Sequence, residues 1–320
     1  MGRLSNRKTR DATNKIVLTA PSLARFPWLV HGFSTRRGGV SSFLGSSHSA
    51  SGDADLNLGK VSWDSAENVR ENRRRLLARL AADEMTLVIQ RQIHSDLIRV
   101  LDDVGTGLQA CTATGKNASP TGPTPPPAGD GLMTNQAGLL LGVLVADCLP
   151  ILLVDAKQRV VAALHCGWRG TVRRLAEKAV GRMRMVFGSR PEDLWAAIGP
   201  GIQACCYSVG PEVAEEFASQ FHYAAKLFVT RPRRPTPVEK KHLLRWQPLR
   251  SLSTLSMLSD VYLDLTQANG QQLRDAGIPA KQIDSKAPCV SCHPELFFSH
   301  RRDGGRTGRM MGLVGIKRNR

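Results

Sequence analysis

The stretch "GVLVADCLPILLVDAKQRVVAALHCGWRG", from Gly142 to Gly170, contains apolar runs that end in chemically reactive residues. One run ends in Asp147-Cys148 and another ends in His165-Cys166. Short apolar runs bounded by turn residues are typical of buried strands. Polar side chains are uncommon at buried positions, so a thiol and an imidazole at neighbouring strand ends predict a chemical site.

Helical and strand patterns alternate on both sides of this stretch. Helices are predicted over residues 64–83, 170–188, 209–221 and 262–277, the first of them with Asp64 as its N-cap. Strand patterns recur between them, and the last runs over residues 308–316. This alternation predicts an α/β or α+β fold with substantial sheet. Neither a GxGxxG nor a GxxxxGK[ST] motif is present, which argues against dinucleotide and P-loop sites.

Three segments interrupt the predicted fold. Residues 1–20 read as a disordered basic tail, and residues 105–129 and 230–258 read as loop insertions rich in proline or basic residues. Residues 1–20, 221–250 and 301–320 together account for the whole net charge of +17. No aromatic RNA-binding motif accompanies this charge, so we expect no specific nucleic-acid partner.

The bulk composition argues for a cytoplasmic protein with free thiols. No apolar run approaches the length of a membrane span, and the first residues lack the apolar core of a signal peptide. Seven cysteines, an odd number, argue against a disulfide framework in a chain that is not exported. We therefore expect free cysteines or metal ligands and no membrane contact. The sequence indicates no oligomeric state.

The candidate site residues admit two chemical interpretations. Cys148 and His165 alone would fit a buried thiol and a core histidine, but His94 also lies where a predicted strand ends. Two histidines and one cysteine are a zinc ligand set with one position open, which is typical of catalytic sites. Alternatively, Cys148 is a nucleophile activated by His165. Asp147 is expected to orient a ligand or the base.

Other motifs are less specific. The string "CVSCH", Cys289 to His293, matches covalent haem attachment, which requires an export route that the sequence does not show. A structural zinc there would need a second ligand pair, and Cys205-Cys206 has an unfavourable spacing. We therefore expect a turn with ordinary thiols. The Gly/Arg loops 35–41 and 299–309 are candidate anion sites.

Several ordered strings together resemble a known family. They are "QIHS", "GDGLMTN", "VADCLPILLVD", "ALHCGWRGT", "AIGPGIQACCYSVGPEV", "YLDL" and "SCHPELFFSHRRDGGRTGRM". From about Val30 to Ile316 the chain resembles the laccase-domain or multicopper polyphenol oxidase family. Members are described as purine nucleoside phosphorylases with adenosine deaminase activity. The resemblance implies a single catalytic domain over residues 21–320, folded as a four-layer α/β/β/α sandwich with mixed sheets.

The resemblance also implies roles for individual residues. Zinc would be held by His94, Cys148 and His165, and Arg73 would be an active-site residue. The substrates would be phosphate and purine nucleosides: adenosine, inosine, guanosine and methylthioadenosine. Zinc would activate water for deamination, and Arg73 with Arg37 or Arg302 would neutralise phosphate during phosphorolysis. Imidazole and thiolate also accept copper.

Two points separate this chain from the family's name and pattern. A multicopper site needs many histidines in closely spaced pairs, and this chain has eight His and no HxH. Cys166 stands where the family usually has alanine, which predicts an extra thiol beside a metal ligand.

A cysteine hydrolase, for example one that edits an amide of a cell-wall precursor, is the alternative enzyme. A binding protein whose insertion 230–258 contacts a polyanion is the non-enzymatic alternative.

Overall fold

The computed structural model describes residues 16–43, 54–101, 110–111, 127–232 and 259–318. Most of the predicted tail and most of both predicted insertions lie outside these ranges. Within the predicted tail, Val17–Leu18 form a strand. Among the described residues, no helix is long and apolar enough to cross a bilayer. The cytoplasmic location stays a prediction.

Two six-stranded sheets form the centre of the fold, and their strands are numbered in chain order. The first sheet has the order β1 (Val17–Leu18), β2 (Leu29–Ser34), β17 (Met310–Ile316), β9 (Leu139–Val145), β5 (Thr86–Val88), β7 (Ala110–Cys111). The second has the order β16 (Ile283–Asp284), β12 (Leu194–Ile198), β10 (Leu149–Asp155), β11 (Val160–Cys166), β8 (Gly131–Thr134), β6 (Ile98–Leu101). Both sheets mix parallel and antiparallel pairs.

Smaller sheets and helices complete the described structure. The small sheets contain β13 (Ser208–Val209), β15 (Ser259–Leu263) and β14 (Phe228–Pro232), and β3 (Arg37–Gly39) with β4 (Ala54–Asp55). The α-helices are α1 (Ala66–Arg79), α2 (Trp168–Val172), α3 (Leu175–Phe187), α4 (Pro211–Gln220) and α5 (Leu265–Asp275). Short 3-10 turns occur at Pro191–Asp193, Ala224–Leu227 and Ala280–Gln282. The predicted mixed α/β class is confirmed.

The stretch 142–170 supplies the middle of both sheets. It contains most of β9 and all of β10 and β11. β10 and β11 pair antiparallel, and their register places Pro150 opposite His165. β9 belongs to the other sheet, so the short connection that carries Asp147 and Cys148 passes from one sheet to the next.

Side-chain alternation along β10 and β11 divides the core. Ile151, Leu153 and Leu164 pack in a cluster with residues of α3, α4 and α5. Leu152 and Ala163 instead join a cluster that includes residues of the first sheet. Burying a leucine or isoleucine side chain stabilises the fold by about 1.5–3 kcal/mol. Both faces of the second sheet are therefore buried, which explains the nearly continuous apolar runs in the sequence.

Helix α1 packs on the first sheet but begins one residue later than its predicted cap implies. Leu76 and Leu77 share a cluster with Leu140 and Leu313 of the first sheet. The N-cap is Ser65, whose side chain accepts a hydrogen bond from the Asn68 N–H. The prediction of Asp64 as the cap was wrong. Its carboxylate accepts instead from Ser41, Asn57, Ser65 and Asn68.

Candidate active site and metal centre

The structure brings the three predicted ligands together. His94 lies between β5 and β6, Cys148 lies between β9 and β10, and His165 is the penultimate residue of β11. One ligand atom from each of them lies within 4.8 Å of the other two. The imidazole centroids of His94 and His165 are 4.9 Å apart and their planes meet at 74°. His165 is buried, Cys148 is half-buried and His94 is exposed, so the group opens to solvent on the His94 side.

The backbone around the thiol is close-fitting and locally strained. His94 adopts φ +57° and the residue before Cys148, Asp147, adopts φ +92°. Such angles are unfavourable for residues other than glycine and are found at functional sites. A Cβ at Gly167 would lie 2.8 Å from Cys148 Sγ and 3.4 Å from His94 Cδ2. Glycine at this position therefore lets the start of α2 approach the thiol.

Asp130 organises the site, and the sequence analysis did not identify it. Its buried carboxylate accepts hydrogen bonds from the backbone N–H groups of Ile93, His94 and Ser95 at 3.2, 3.1 and 2.6 Å. It also accepts from Ser95 Oγ at 2.7 Å. These bonds hold the unusual turn at His94. The signal was an acid placed directly before β8, a strand whose residues are all buried.

Asp130 also fixes the orientation of His165. Asp130 Oδ1 lies 2.8 Å from His165 Nδ1, and its backbone oxygen accepts from the His165 N–H at 2.8 Å. Burial would raise the pKa of the Asp130 carboxyl, but the bonds from His165 and Ser95 outweigh it and lower the pKa to about 2. A carboxylate on Nδ1 leaves Nε2 as the ring nitrogen for a ligand, the usual arrangement behind a metal-bound histidine.

The thiol and the buried imidazole form a charged pair in the metal-free protein. Burial would raise the pKa of Cys148, but the charge and hydrogen bond of His165 outweigh it and lower the pKa to about 6. Burial would lower the pKa of His165, but the charge of Cys148 and the bond to Asp130 raise it to about 9. A thiolate at neutral pH suits both a metal ligand and a nucleophile.

The donor set fits a zinc ion. Two imidazoles and one thiolate are established zinc ligands, and the carboxylate behind His165 supplies the expected support. Glycine at position 167 avoids a clash between a Cβ and Cys148 Sγ. Copper accepts the same donors. The metal site and the role of each ligand stay predictions.

Asp147 binds a neighbouring loop. Its carboxylate accepts from Ser299 Oγ and from the Arg301 N–H, both at 2.6 Å. These bonds anchor the loop that begins at Ser299. The expectation that Asp147 orients a ligand or the base stays a prediction. In that loop the Arg301 guanidinium lies 5.2 Å from the centre of the Tyr207 ring. Burial and the nearby charge of Cys148 raise the pKa of Tyr207.

The three predicted arginines all bind backbone carbonyls. The Arg73 guanidinium donates to Leu58 O at 2.8 and 3.0 Å. Arg37 donates to Glu295 O at 2.9 Å. Arg302 pairs with Asp303 and donates to two carbonyl oxygens, those of Val290 and Phe297. Their proposed contacts with substrate stay predictions.

Arg309 is a further cation of the site that the sequence analysis did not single out. Burial lowers its pKa, while the charges of Cys148 and Asp147 act in the opposite direction, so it lies within electrostatic range of both. A Cβ at Gly59 would lie 2.6 Å from Arg309 Cγ. The Leu58 N–H donates to Arg309 O at 2.9 Å, so the same residue joins Arg309 to Arg73.

Cys166 directly follows His165, but its side chain points to the opposite face of β11. It is fully buried in the cluster that contains Leu164, and successive side chains of a strand point to opposite faces. Burial raises the pKa of its thiol. The charge of Cys148 also raises this pKa, so Cys166 lies within electrostatic range of a predicted ligand. The prediction of an extra thiol beside a metal ligand stays a prediction.

Comparison with known proteins agrees with the resemblance seen in the sequence. The family model described as multi-copper polyphenol oxidoreductase laccase matches residues 30–317. The purine nucleoside phosphorylase YlmD of Geobacillus stearothermophilus is 35% identical over 91% of this chain and 91% of its own length. Adenosine deaminase RL5, from an unknown prokaryotic organism, is 34% identical over 88% of this chain and 91% of its own.

The fold also matches that of a solved structure of a relative. The crystal structure of YlmD from Geobacillus stearothermophilus has a TM-score of 0.70 and 32% identity to this protein, covering 95% of this chain and 97% of its own. The match therefore includes the sheets and the connections that carry the site. The predicted resemblance is confirmed, and the chain belongs to the multi-copper polyphenol oxidoreductase laccase family.

Proposed function

We propose that this protein is a zinc-dependent purine nucleoside phosphorylase that also deaminates adenosine. Its substrates would be phosphate and adenosine, inosine, guanosine or methylthioadenosine. The observation that carries the proposal is the convergence of His94, Cys148 and His165 at one solvent-open point, with Asp130 behind His165. The names of the relatives, purine nucleoside phosphorylase and adenosine deaminase, supply the substrate class.

The three ligands would hold the metal, and the other residues would bind substrate. When bound, zinc supplies Lewis acidity and a nucleophile for deamination. Asp130 keeps His165 Nε2 available by accepting from Nδ1. Tyr207, whose pKa is raised, keeps the proton on its hydroxyl at neutral pH and can hydrogen-bond a purine or ribose oxygen.

Phosphorolysis needs cations that neutralise phosphate. A phosphate oxygen bonds to the ribose C1′, the C1′–N bond breaks, and the purine leaves with the electron pair and takes up a proton. Arg309 is one candidate cation, because the charges of Cys148 and Asp147 act on it. Arg73, joined to it through Leu58, and Arg37 or Arg302 would complete the anion site.

A second candidate function has one specific observation in its favour. The pKa of Cys148 is lowered to about 6 beside His165, and a low-pKa thiol paired with an imidazole is the arrangement of cysteine hydrolases. In such an enzyme the Cys148 thiolate would attack the carbonyl of an amide, for example in a cell-wall precursor. The C–N bond would break, the amine would leave with a proton from His165, and water would then hydrolyse the thioester to a carboxylate and the free thiol. It would need no metal.

Product analysis separates the two candidates. The protein is incubated with inosine and phosphate, and hypoxanthine and ribose 1-phosphate are measured before and after treatment with a strong chelator. Ribose 1-phosphate that disappears on chelation supports the phosphorylase. Replacement of Cys166, a buried thiol outside the site, is the matched control for replacement of Cys148. Metal-independent amide hydrolysis that iodoacetamide abolishes would instead support the cysteine hydrolase.

The layered architecture is part of the same proposal. We propose that α3, α4 and α5, the second sheet, the first sheet and α1 stack in that order as a four-layer sandwich. Three separate hydrophobic clusters support this order, because each joins only adjacent layers. The single catalytic domain over residues 21–320 is part of this proposal, although β1 of the first sheet lies just before these bounds.

A further inference from the structure

A second group of metal-ligating side chains lies outside the candidate active site. The thiols of Cys205, Cys206, Cys289 and Cys292 all lie within 4.8 Å of one another. The sequence predicted ordinary thiols here, because Cys205 and Cys206 are adjacent and the other pair is more than eighty residues away. The fold brings the two pairs together through an isolated bridge between Gly201 and Cys289.

The distances within this four-cysteine cluster suit a shared ion better than a disulfide. Cys292 Sγ lies 3.4 Å from both Cys205 Sγ and Cys206 Sγ. A disulfide requires about 2.05 Å between two sulfurs. Four thiolates at about 2.3 Å from a tetrahedral zinc are separated from one another by about 3.8 Å. Because Cys292 is equally near two partners, neither pairing is preferred.

We propose that Cys205, Cys206, Cys289 and Cys292 bind a structural Zn²⁺ that is distinct from the metal of the His94, Cys148 and His165 group. Four soft thiolate ligands in a tetrahedral arrangement select zinc among the common divalent metals, and a closed set of four is typical of structural sites. Cys205 and Cys292 are exposed, which gives the ion a route from solvent.

Residues around the four cysteines supply the hydrogen bond and the positive charge that support a thiolate site. The Gln203 N–H donates to Cys289 Sγ at 3.4 Å, and a backbone donor stabilises a thiolate ligand. The Arg231 guanidinium donates to Cys205 O at 3.1 Å and lies 4.7 Å from the centre of the Tyr262 ring. Its charge partly offsets the net negative charge of four thiolates around one Zn²⁺.

The ion would join two segments that both contact the 299–303 loop. Cys206 directly precedes Tyr207, whose ring lies under Arg301. The other segment contains Val290, whose carbonyl accepts from Arg302 at 2.9 Å. The zinc would therefore fix the relative positions of Tyr207 and the 299–303 loop without contacting substrate.

Metal counting in matched variants tests this inference, and it does not depend on any activity. The full chain, reduced and loaded with zinc, is dialysed and its metals are measured by mass spectrometry. We expect about two zinc ions per chain. Cys292→Ser and Cys205→Ser should each lower this to about one, and Cys148→Ala should lower it to about one by emptying the other site. Cys166→Ala should leave about two.

Cobalt substitution identifies which site is emptied. Cobalt bound by four thiolates gives intense near-ultraviolet charge-transfer absorption, which Cys292→Ser should reduce by more than half and Cys148→Ala by about a quarter or less. Wild-type zinc content in Cys292→Ser and Cys205→Ser, or iron in place of zinc, would overturn the proposal. A disulfide among these cysteines in the protein as purified would also overturn it. If zinc is lost in Cys148→Ala but not in Cys205→Ser or Cys292→Ser, the four-cysteine proposal fails and the proposed phosphorylase stands.

Discussion

Replacing Asp130 by asparagine tests how the candidate active site is built. The carboxylate oxygens divide five donors between them. Oδ1 accepts from the His94 N–H and faces His165 Nδ1, and Oδ2 accepts from Ser95 twice and from the Ile93 N–H. An asparagine keeps one oxygen, so either orientation of its amide leaves at least one backbone N–H donor without an acceptor. At about 1–3 kcal/mol for each buried donor, we expect a loss of at least about 1 kcal/mol in unfolding free energy.

The same substitution should weaken metal binding. If the amide NH₂ faces His165, the imidazole must accept at Nδ1 and carry its proton on Nε2, the nitrogen that the metal needs. Loss of such a supporting partner costs about 10–100-fold in metal affinity, which is about 1.4–2.8 kcal/mol. Competition with a chromophoric chelator at pH 7.5 measures it. Asp284→Asn, at the edge of the same sheet, is the matched control.

The effect of Asp130 on stability has a defined pH window. The folded-state pKa of about 2 lies below the value of about 3.9 in an unfolded chain. The carboxylate therefore stabilises the fold fully above about pH 4, and the stabilisation is lost as the pH falls toward 2. Asp130→Asn with wild-type zinc affinity within about twofold and unchanged unfolding at pH 7 would refute this account of the site.

Three further substitutions or treatments give separate expectations. Gly167→Ala places a methyl 2.8 Å from Cys148 Sγ. Turnover and metal affinity should therefore fall at least about tenfold. Gly181→Ala is the control and should leave both unchanged, because no atom lies within 4 Å of the added Cβ. In chelator-treated protein, alkylation of Cys148 by iodoacetamide should rise with pH through a midpoint near 6 and then level off, because the thiolate reacts and its pKa is about 6. Asp147→Asn should raise KM for phosphate by about tenfold with little change in the zinc content, because the loop at Ser299 loses a charged acceptor.

One result would contradict each of these three expectations. Gly167→Ala with full activity would mean that the start of α2 can move away from the thiol. An alkylation midpoint near 8.5, the value for an ordinary cysteine, would mean that His165 does not share its charge with Cys148. Loss of zinc in Asp147→Asn, with the KM for phosphate unchanged, would favour the ligand-orienting role that the sequence suggested for this residue.

The ligand trio was predictable because each member follows or ends a strand pattern. Apolar runs revealed β10 and β11, and the polar residues at their ends identified Cys148 and His165. Sequence distance did not prevent this prediction, because the connections that carry His94 and Cys148 pass between the two sheets near the end of β11. The sequence did not indicate the direction of the Cys166 side chain, which the alternation along β11 turns into the core.

Residues whose role depends on contacts with distant parts of the chain were not predictable from the sequence. Asp130 is a single acid, and its importance depends on three backbone N–H groups of a turn that no sequence pattern specifies. Arg309 is one of many arginines in a basic C-terminal segment, and only its burial near Cys148 distinguishes it. The four-cysteine cluster forms across more than eighty residues, where spacing rules do not apply.

The central claim is that His94, Cys148 and His165 hold a metal that purine nucleoside phosphorolysis requires. The most direct test adds zinc stepwise to chelator-treated protein and measures bound metal and ribose 1-phosphate formation from inosine in the same samples. We expect activity that rises from background in proportion to the occupancy of one site, and no recovery in Cys148→Ala. Full activity in metal-free protein, or in Cys148→Ala, would contradict it.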